Sequence, residues 1–133
     1  MSIGQKLLLL IISIFFLTGC DSSISNIDTN SLIGMSKEEI LKLIFEKCPK
    51  DKYGETNIGA WEIENGRRLY LINFYYKSIQ AAMKDDRLMN KNIWEMKAKC
   101  KFPFSIYQKE ESLEIYFEKG YVIKVKRKYW YKT

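Results

Sequence analysis

Asn65-Gly66 is the tightest local constraint in this chain. Both residue types tolerate the positive φ of a two-residue type I′ turn, whose twist matches that of the strands it joins. Trp61 to Glu64 precedes the dipeptide and Arg67 to Tyr76 follows it, so an antiparallel hairpin is predicted, its register set by the turn. The second arm, Leu69-Tyr70-Leu71-Ile72-Asn73-Phe74-Tyr75-Tyr76, is apolar on both of its faces, which predicts a central strand. The period of two returns downstream. Ile93 to Phe102 carries Trp94, Met96, Ala98 and Cys100 on one side. Leu113, Ile115 and Phe117 alternate with Glu114, Tyr116 and Glu118, the pattern of a half-buried strand. Lys119-Gly120 turns the chain into a last strand, Tyr121 to Tyr131.

One helix precedes these strands. Ser36 and Glu39 stand at capping-box spacing, where each side chain satisfies an otherwise unpaired backbone N–H at the helix start. Met35 and Ile40 have the spacing of a hydrophobic staple. Ile40, Leu41, Ile44 and Phe45 fall on one face, and Pro49 disfavours helix at Cys48 and stops the run. Ile79, Ala82 and Met83 suggest a further short helix within residues 78–89. The order predicts an α+β fold, an N-terminal helix or helices packed on a small antiparallel β-sheet.

The N-terminus sets the compartment. Lys6 is followed by the apolar run Leu7 to Leu17, the layout of a secretory signal peptide. That run spans roughly 16 Å as a helix, about half the hydrocarbon core of a bilayer, so it is too short for a stable membrane span. Leu17-Thr18-Gly19-Cys20 resembles the lipobox of bacterial lipoproteins, which implies that Cys20 is lipidated and becomes the first mature residue. The expected division is a signal peptide over 1–19, a flexible tether over 20–31 and one α+β domain over 32–133. The expected location is a bacterial membrane, through the N-terminal lipid, facing the periplasm or the outside. Asp21 resembles the inner-membrane retention signal of enteric lipoproteins; that rule varies between bacteria, so inner or outer membrane stays open.

Losing residues 1–19 removes one cation, Lys6, and leaves 114 residues with 21 basic and 16 acidic side chains. That is enough chain for one compact domain. Export argues against nucleic acid as the partner of this basic surface and leaves anionic lipid, wall polymers or acidic protein faces. With Cys20 assigned to lipid, Cys48 and Cys100 remain as a pair in a compartment that permits disulfides. Their bridge is expected, with two buried free thiols as the alternative.

The chemistry available is narrow. Histidine is absent, which removes Ser-His-Asp, Cys-His and histidine-ligated metal sites. No glycine-rich phosphate loop is present. Paired carboxylates could support glycoside chemistry, with Asp85-Asp86 and Glu110-Glu111 as the candidates, but both read as solvated loop charges. The expectation is therefore no enzyme, no cofactor and no metal. For binding, Lys124, Lys126, Lys128 and Trp130 alternate along the last strand, opposite Val125, Arg127, Tyr129 and Tyr131. Lysines ending in an indole suit an anionic surface. The competing reading is an edge strand whose lysines prevent unwanted pairing.

Lipobox, tether and then Ile33-Gly34-Met35-Ser36-Lys37-Glu38-Glu39-Ile40 together resemble the BamE/SmpA-like lipoproteins, with their Gly-Met-(Thr/Ser) helix opening. Pro49, the strand at Trp61-Glu62-Ile63 and the hairpin Leu113 to Ile123 around Gly120 are similar to the rest of that pattern. The resemblance implies a lipid-anchored, non-catalytic binding module of the cell envelope, like outer-membrane assembly accessory lipoproteins. An envelope protein or an anionic lipid surface would be its partner. The alternative is a periplasmic inhibitor or immunity lipoprotein that blocks a toxin or hydrolase.

Overall fold

A computed structural model of the protein describes residues 24, 26–101 and 108–132, with side chains at all of these except 98–101, 108, 109 and 130–132. Residues 1–23, with the expected signal peptide and Cys20, lie outside the described residues.

Helix α1 (Lys37–Lys47) begins at the expected capping box. The Glu39 N–H donates to Ser36 Oγ at 3.2 Å, and the Ser36 N–H donates to Glu39 Oε1 at 3.3 Å. The helix closes where the Cys48 N–H donates to the Ile44 carbonyl at 2.9 Å, one residue before Pro49. Strands β1 (Thr56–Glu64) and β2 (Arg67–Tyr76) form the expected hairpin, with Asn65 at φ 53° and Gly66 at φ 77°. Two short helices, α2 (Ile79–Met83) and α3 (Asp86–Met89), lead to β3 (Ile93–Lys101). β4 (Gln108–Glu118) and β5 (Tyr121–Lys132) form a second hairpin around Lys119-Gly120, again with both residues at positive φ. All neighbours pair antiparallel in the order β2-β1-β3-β4-β5, giving one five-stranded sheet in an α+β chain.

Alternation divides the sheet into two faces. Ile58, Ala60, Phe74, Trp94, Met96, Leu113 and Ile115 share one face and one buried cluster with Ile40, Leu41 and Ile44 of α1. Trp94 is the largest fully buried side chain. Its ring meets Phe117 edge-on at 4.7 Å, and its Nε1–H donates to the Leu88 carbonyl at 3.2 Å. The apolar half of each strand therefore does what its period of two dictates.

Three expectations are corrected. β2 is an edge strand, not a central one. After β2 the chain passes through α2 and α3, and β3 then pairs with the far side of β1, so among the described residues no strand lies beyond β2. Leu69, Tyr70 and Tyr75 are consequently 48 %, 57 % and 53 % exposed. Glu110 and Glu111 are not loop charges. Both lie in β4 and are buried, and as strand neighbours they belong to opposite faces. The packed domain also starts before residue 32. Ile24 is fully buried, Ile27 packs on the core, and Thr29–Leu32 forms a 3-10 turn. Arg127, which also pairs with Glu111, donates to the carbonyls of Ile24 and Ile27 and so ties this segment to β5.

Candidate functional site

The second face of the sheet carries the charged chemistry. The register puts Trp61 of β1, Glu95 of β3, Glu114 and Tyr116 of β4, and Lys124 and Lys126 of β5 on it together. A flat sheet would hold β2 and β4 three strand spacings, about 14 Å, apart. Arg68 of β2 nevertheless donates to both Glu114 oxygens, at 3.1 and 2.8 Å. The two long side chains reach toward each other over the strands between, with the guanidinium lying above Trp61. Gly59 leaves room on the same face: a Cβ there would lie 3.2 Å from Leu71 Cδ1 and 3.4 Å from Glu95 Cβ.

Glu114 is the hub. It is 1 % exposed and accepts from Arg68, Lys128 and the Tyr116 hydroxyl, the last at 2.8 Å. Burial pushes its pKa upward, but the three donors outweigh burial and hold it at about 2. Glu114 is thus a fixed negative charge, not a proton carrier near neutral pH. The same contacts raise Arg68, chiefly through its bond to Glu114. Burial, then Glu114, raises the Tyr116 hydroxyl. Beside this hub, the Trp61 Nε1–H donates to Glu95 Oε2 at 3.2 Å, and Lys97 lies 3.9 Å from Glu95. The Arg68 guanidinium stacks over Trp61 at 5.1 Å and over Tyr116 at 5.5 Å.

Lys124, Lys126 and Lys128 share this face as their alternation predicts, but they divide in role. Lys128 is committed to Glu114. Lys124 and Lys126 sit over the Tyr116 ring at 5.3 and 5.6 Å, and among the described residues neither meets a carboxylate. Lys126 has a lowered pKa, first because of the Lys124 charge beside it. Trp130 pairs with Glu110 along the backbone, and its side chain lies outside the described residues. The Ser112 hydroxyl, buried on this same face, has no hydrogen-bond partner among the described residues. In all, the arrangement presents two mutually repelling cations on an aromatic platform. An incoming anion would relieve that repulsion.

Elsewhere the groups are structural. Asp85 caps α3, accepts from the Tyr76 hydroxyl at 2.8 Å, and is held at about 2 chiefly by Arg87. Cys48 is a buried free thiol, pushed up to about 11 by burial; the side chain of Cys100, its expected partner, lies outside the described residues. Among the described residues, no three His, Cys, Asp or Glu side chains converge as a metal site, and no helix is long and apolar enough to cross a membrane.

The alternation of β4 put Glu114 and Tyr116 on the face opposite Leu113 in advance. That Arg68, Trp61 and Glu95 join them is not legible there, because it depends on strand order and register across the sheet. The same pairings bury Glu114, which alternation alone puts on the polar half of its strand. No protein-family model, curated protein or solved structure matches this chain.

Proposed function

We propose that this chain is a lipid-anchored, non-catalytic binding module of the bacterial cell envelope, whose Glu114 face contacts an anionic surface. In this reading α1 covers the Trp94 face of the sheet and leaves the charged face to a partner. The observation that carries it is the Lys124–Lys126 pair. Both are held over Tyr116 next to a spent carboxylate, Glu114, which is already saturated by Arg68, Lys128 and Tyr116. Protection of an edge requires no such hub behind the lysines.

The length of the leash favours a membrane over a distant protein as the anion. If Cys20 carries lipid, four residue steps separate it from Ile24, at most about 14 Å of extended chain. The Ile24 carbonyl is bonded to Arg127, which lies between Lys126 and Lys128 in β5. The tether would therefore keep β5 near the bilayer, and the lysines, on the face opposite Arg127, would contribute about 1 kcal/mol of attraction each where that face meets the headgroups.

Binding to vesicles containing anionic lipid, measured by sedimentation with a form lacking Cys20, tests the surface apart from the anchor. Lys124→Glu/Lys126→Glu is expected to weaken binding by more than tenfold, roughly the loss of two such contacts with reversal. The attraction should fade with added salt. Equal binding by variant and parent, at low and moderate ionic strength, would remove these lysines from the contact. Retention on an acidic envelope protein but not on vesicles would transfer the site to a protein partner.

A further inference from the structure

The two edges of the sheet are treated differently. β5 is covered at its start: the Gly34 N–H donates to the Val122 carbonyl at 2.8 Å and the Val122 N–H to Met35 at 2.9 Å. Further along it carries Lys124, Lys126 and Lys128, charges that any strand pairing there would have to accommodate whatever else they bind. β2 has neither device along most of its length. Among the described residues, no backbone–backbone hydrogen bond leads from Arg67–Tyr76 to anything outside the sheet. A bulge at Leu69 and the two arginines before it guard only the tip, where Tyr70 pairs with Glu62 and Arg68 with Ile63.

Residues 70–76, Tyr-Leu-Ile-Asn-Phe-Tyr-Tyr, contain no charge, no glycine and no proline. Such a segment on a free edge is a template for another strand. Its pattern is that of a central strand, apolar on both faces, and the described residues supply only one of the two neighbours such a strand requires.

We propose that β2 pairs antiparallel with β2 of a second copy of this chain, joining two five-stranded sheets into one. The segment is its own complement. With Asn73 on the two-fold axis, Leu71 faces Tyr75 of the other copy, Ile72 faces Phe74, and Tyr70 faces Tyr76. Each pair also lies on one face: Leu71 and Tyr75 oppose Trp61 and Asn57 on the charged side, whereas Ile72 and Phe74 oppose Ala60 and Ile58 on the core side. Aromatic and aliphatic cross-strand pairs of this kind stabilise sheets. The charges agree with this register, because Arg68 faces Ser78 and Lys77 faces Leu69, so no cation meets a cation. A heterologous strand would need to reproduce the same uncharged pattern, whereas a second copy has it by construction. The interface lies at the opposite edge from Lys124 and Lys126 and leaves them free.

Light scattering on the full chain in mild detergent, with the micelle contribution subtracted, reads the assembly directly. The wild type is expected to have the mass of a dimer that dissociates on dilution. Tyr70→Lys/Tyr75→Lys, which places charges at two exposed positions, is expected to halve the protein mass while leaving the thermal transition cooperative. A second, milder variant guards against misfolding. Asn73→Cys is expected to yield a disulfide-linked dimer on mild oxidation, because directly opposed Cβ atoms lie about 4.5–5.5 Å apart. Lys124→Cys, on the far edge, should yield none. A wild type that stays monomeric at every concentration overturns the proposal, as does a dimer indifferent to the two lysines. Equal cross-linking at residues 73 and 124 also overturns it, and capture of a different protein by β2 of a monomeric chain replaces the second copy with that strand.

Discussion

Glu114 shows how much one residue's setting can alter its chemistry. A glutamate in a strand of alternating polarity ordinarily faces water; here it is buried against Arg68, Lys128 and Tyr116 and held at about 2, against an ordinary value of 4.5. The unfolded chain therefore takes up this proton at higher pH than the folded one. Stability from Glu114 is full above about pH 5 and is lost as pH falls from about 4.5 to 2. The whole effect is on the order of 3 kcal/mol, by the free-energy equivalent of the displacement. Denaturant midpoints followed from about pH 6 to pH 2 should fall steeply for the wild type. Glu114→Gln should start about 2 kcal/mol less stable, with donors left poorly matched, and should decline less over the same range. Parallel curves for the two proteins would mean that other carboxylates carry the acid transition.

At the scale of elements, the helix is the part most fully specified by local chemistry. Ser36 and Glu39 close the first turn, Glu38 and Glu39 sit where the helix dipole favours anions, and Lys47 sits where it favours a cation. Ser36→Ala removes the acceptor for the Glu39 N–H and is expected to cost about 1 kcal/mol, read as a lower melting temperature. Ser36→Asp, which keeps the acceptor, should restore most of it. Were alanine and aspartate equivalent, the cap would contribute nothing. The contrast is β2, where local chemistry and position disagree: its sequence is that of an inner strand, its place is the edge. The five strands and both turns nonetheless followed their periods and dipeptides, since each requires only neighbours within about ten residues.

For the whole molecule, the proposed anchor and the sheet lie close together in sequence. Ile24 sits in the core and Arg127 donates to the carbonyls of Ile24 and Ile27, so a lipid on Cys20 would be four residue steps from the packed domain. Cys20→Ala is expected to abolish palmitate labelling and to release the protein from washed membranes, because two or more acyl chains are what firm anchoring requires. Unlabelled wild-type protein would exclude the lipobox reading outright. If Cys20 is lipidated as proposed, a leash this short would also keep β5 in the region near the bilayer, which a longer linker would not do.

What the sequence determined by itself were the features encoded within a few consecutive residues. The capping box at Ser36, the stop at Pro49, the turns at Asn65-Gly66 and Lys119-Gly120, and the shared face of Lys124, Lys126 and Lys128 are of this kind. Periods of 3.6 and 2 and positive-φ dipeptides are local, so no knowledge of the rest of the chain was needed. Only the tertiary structure decided what lies against each face and edge. It put β2 at the edge by routing the chain through α2 and α3, buried Glu110, Glu111 and Glu114, and drew Ile24 into the core. Above all it brought Arg68 to Glu114, 46 positions away and three strands across the sheet. Strand order arises from pairings between distant segments, and alternation within one strand says which residues share a face but not what will cover it.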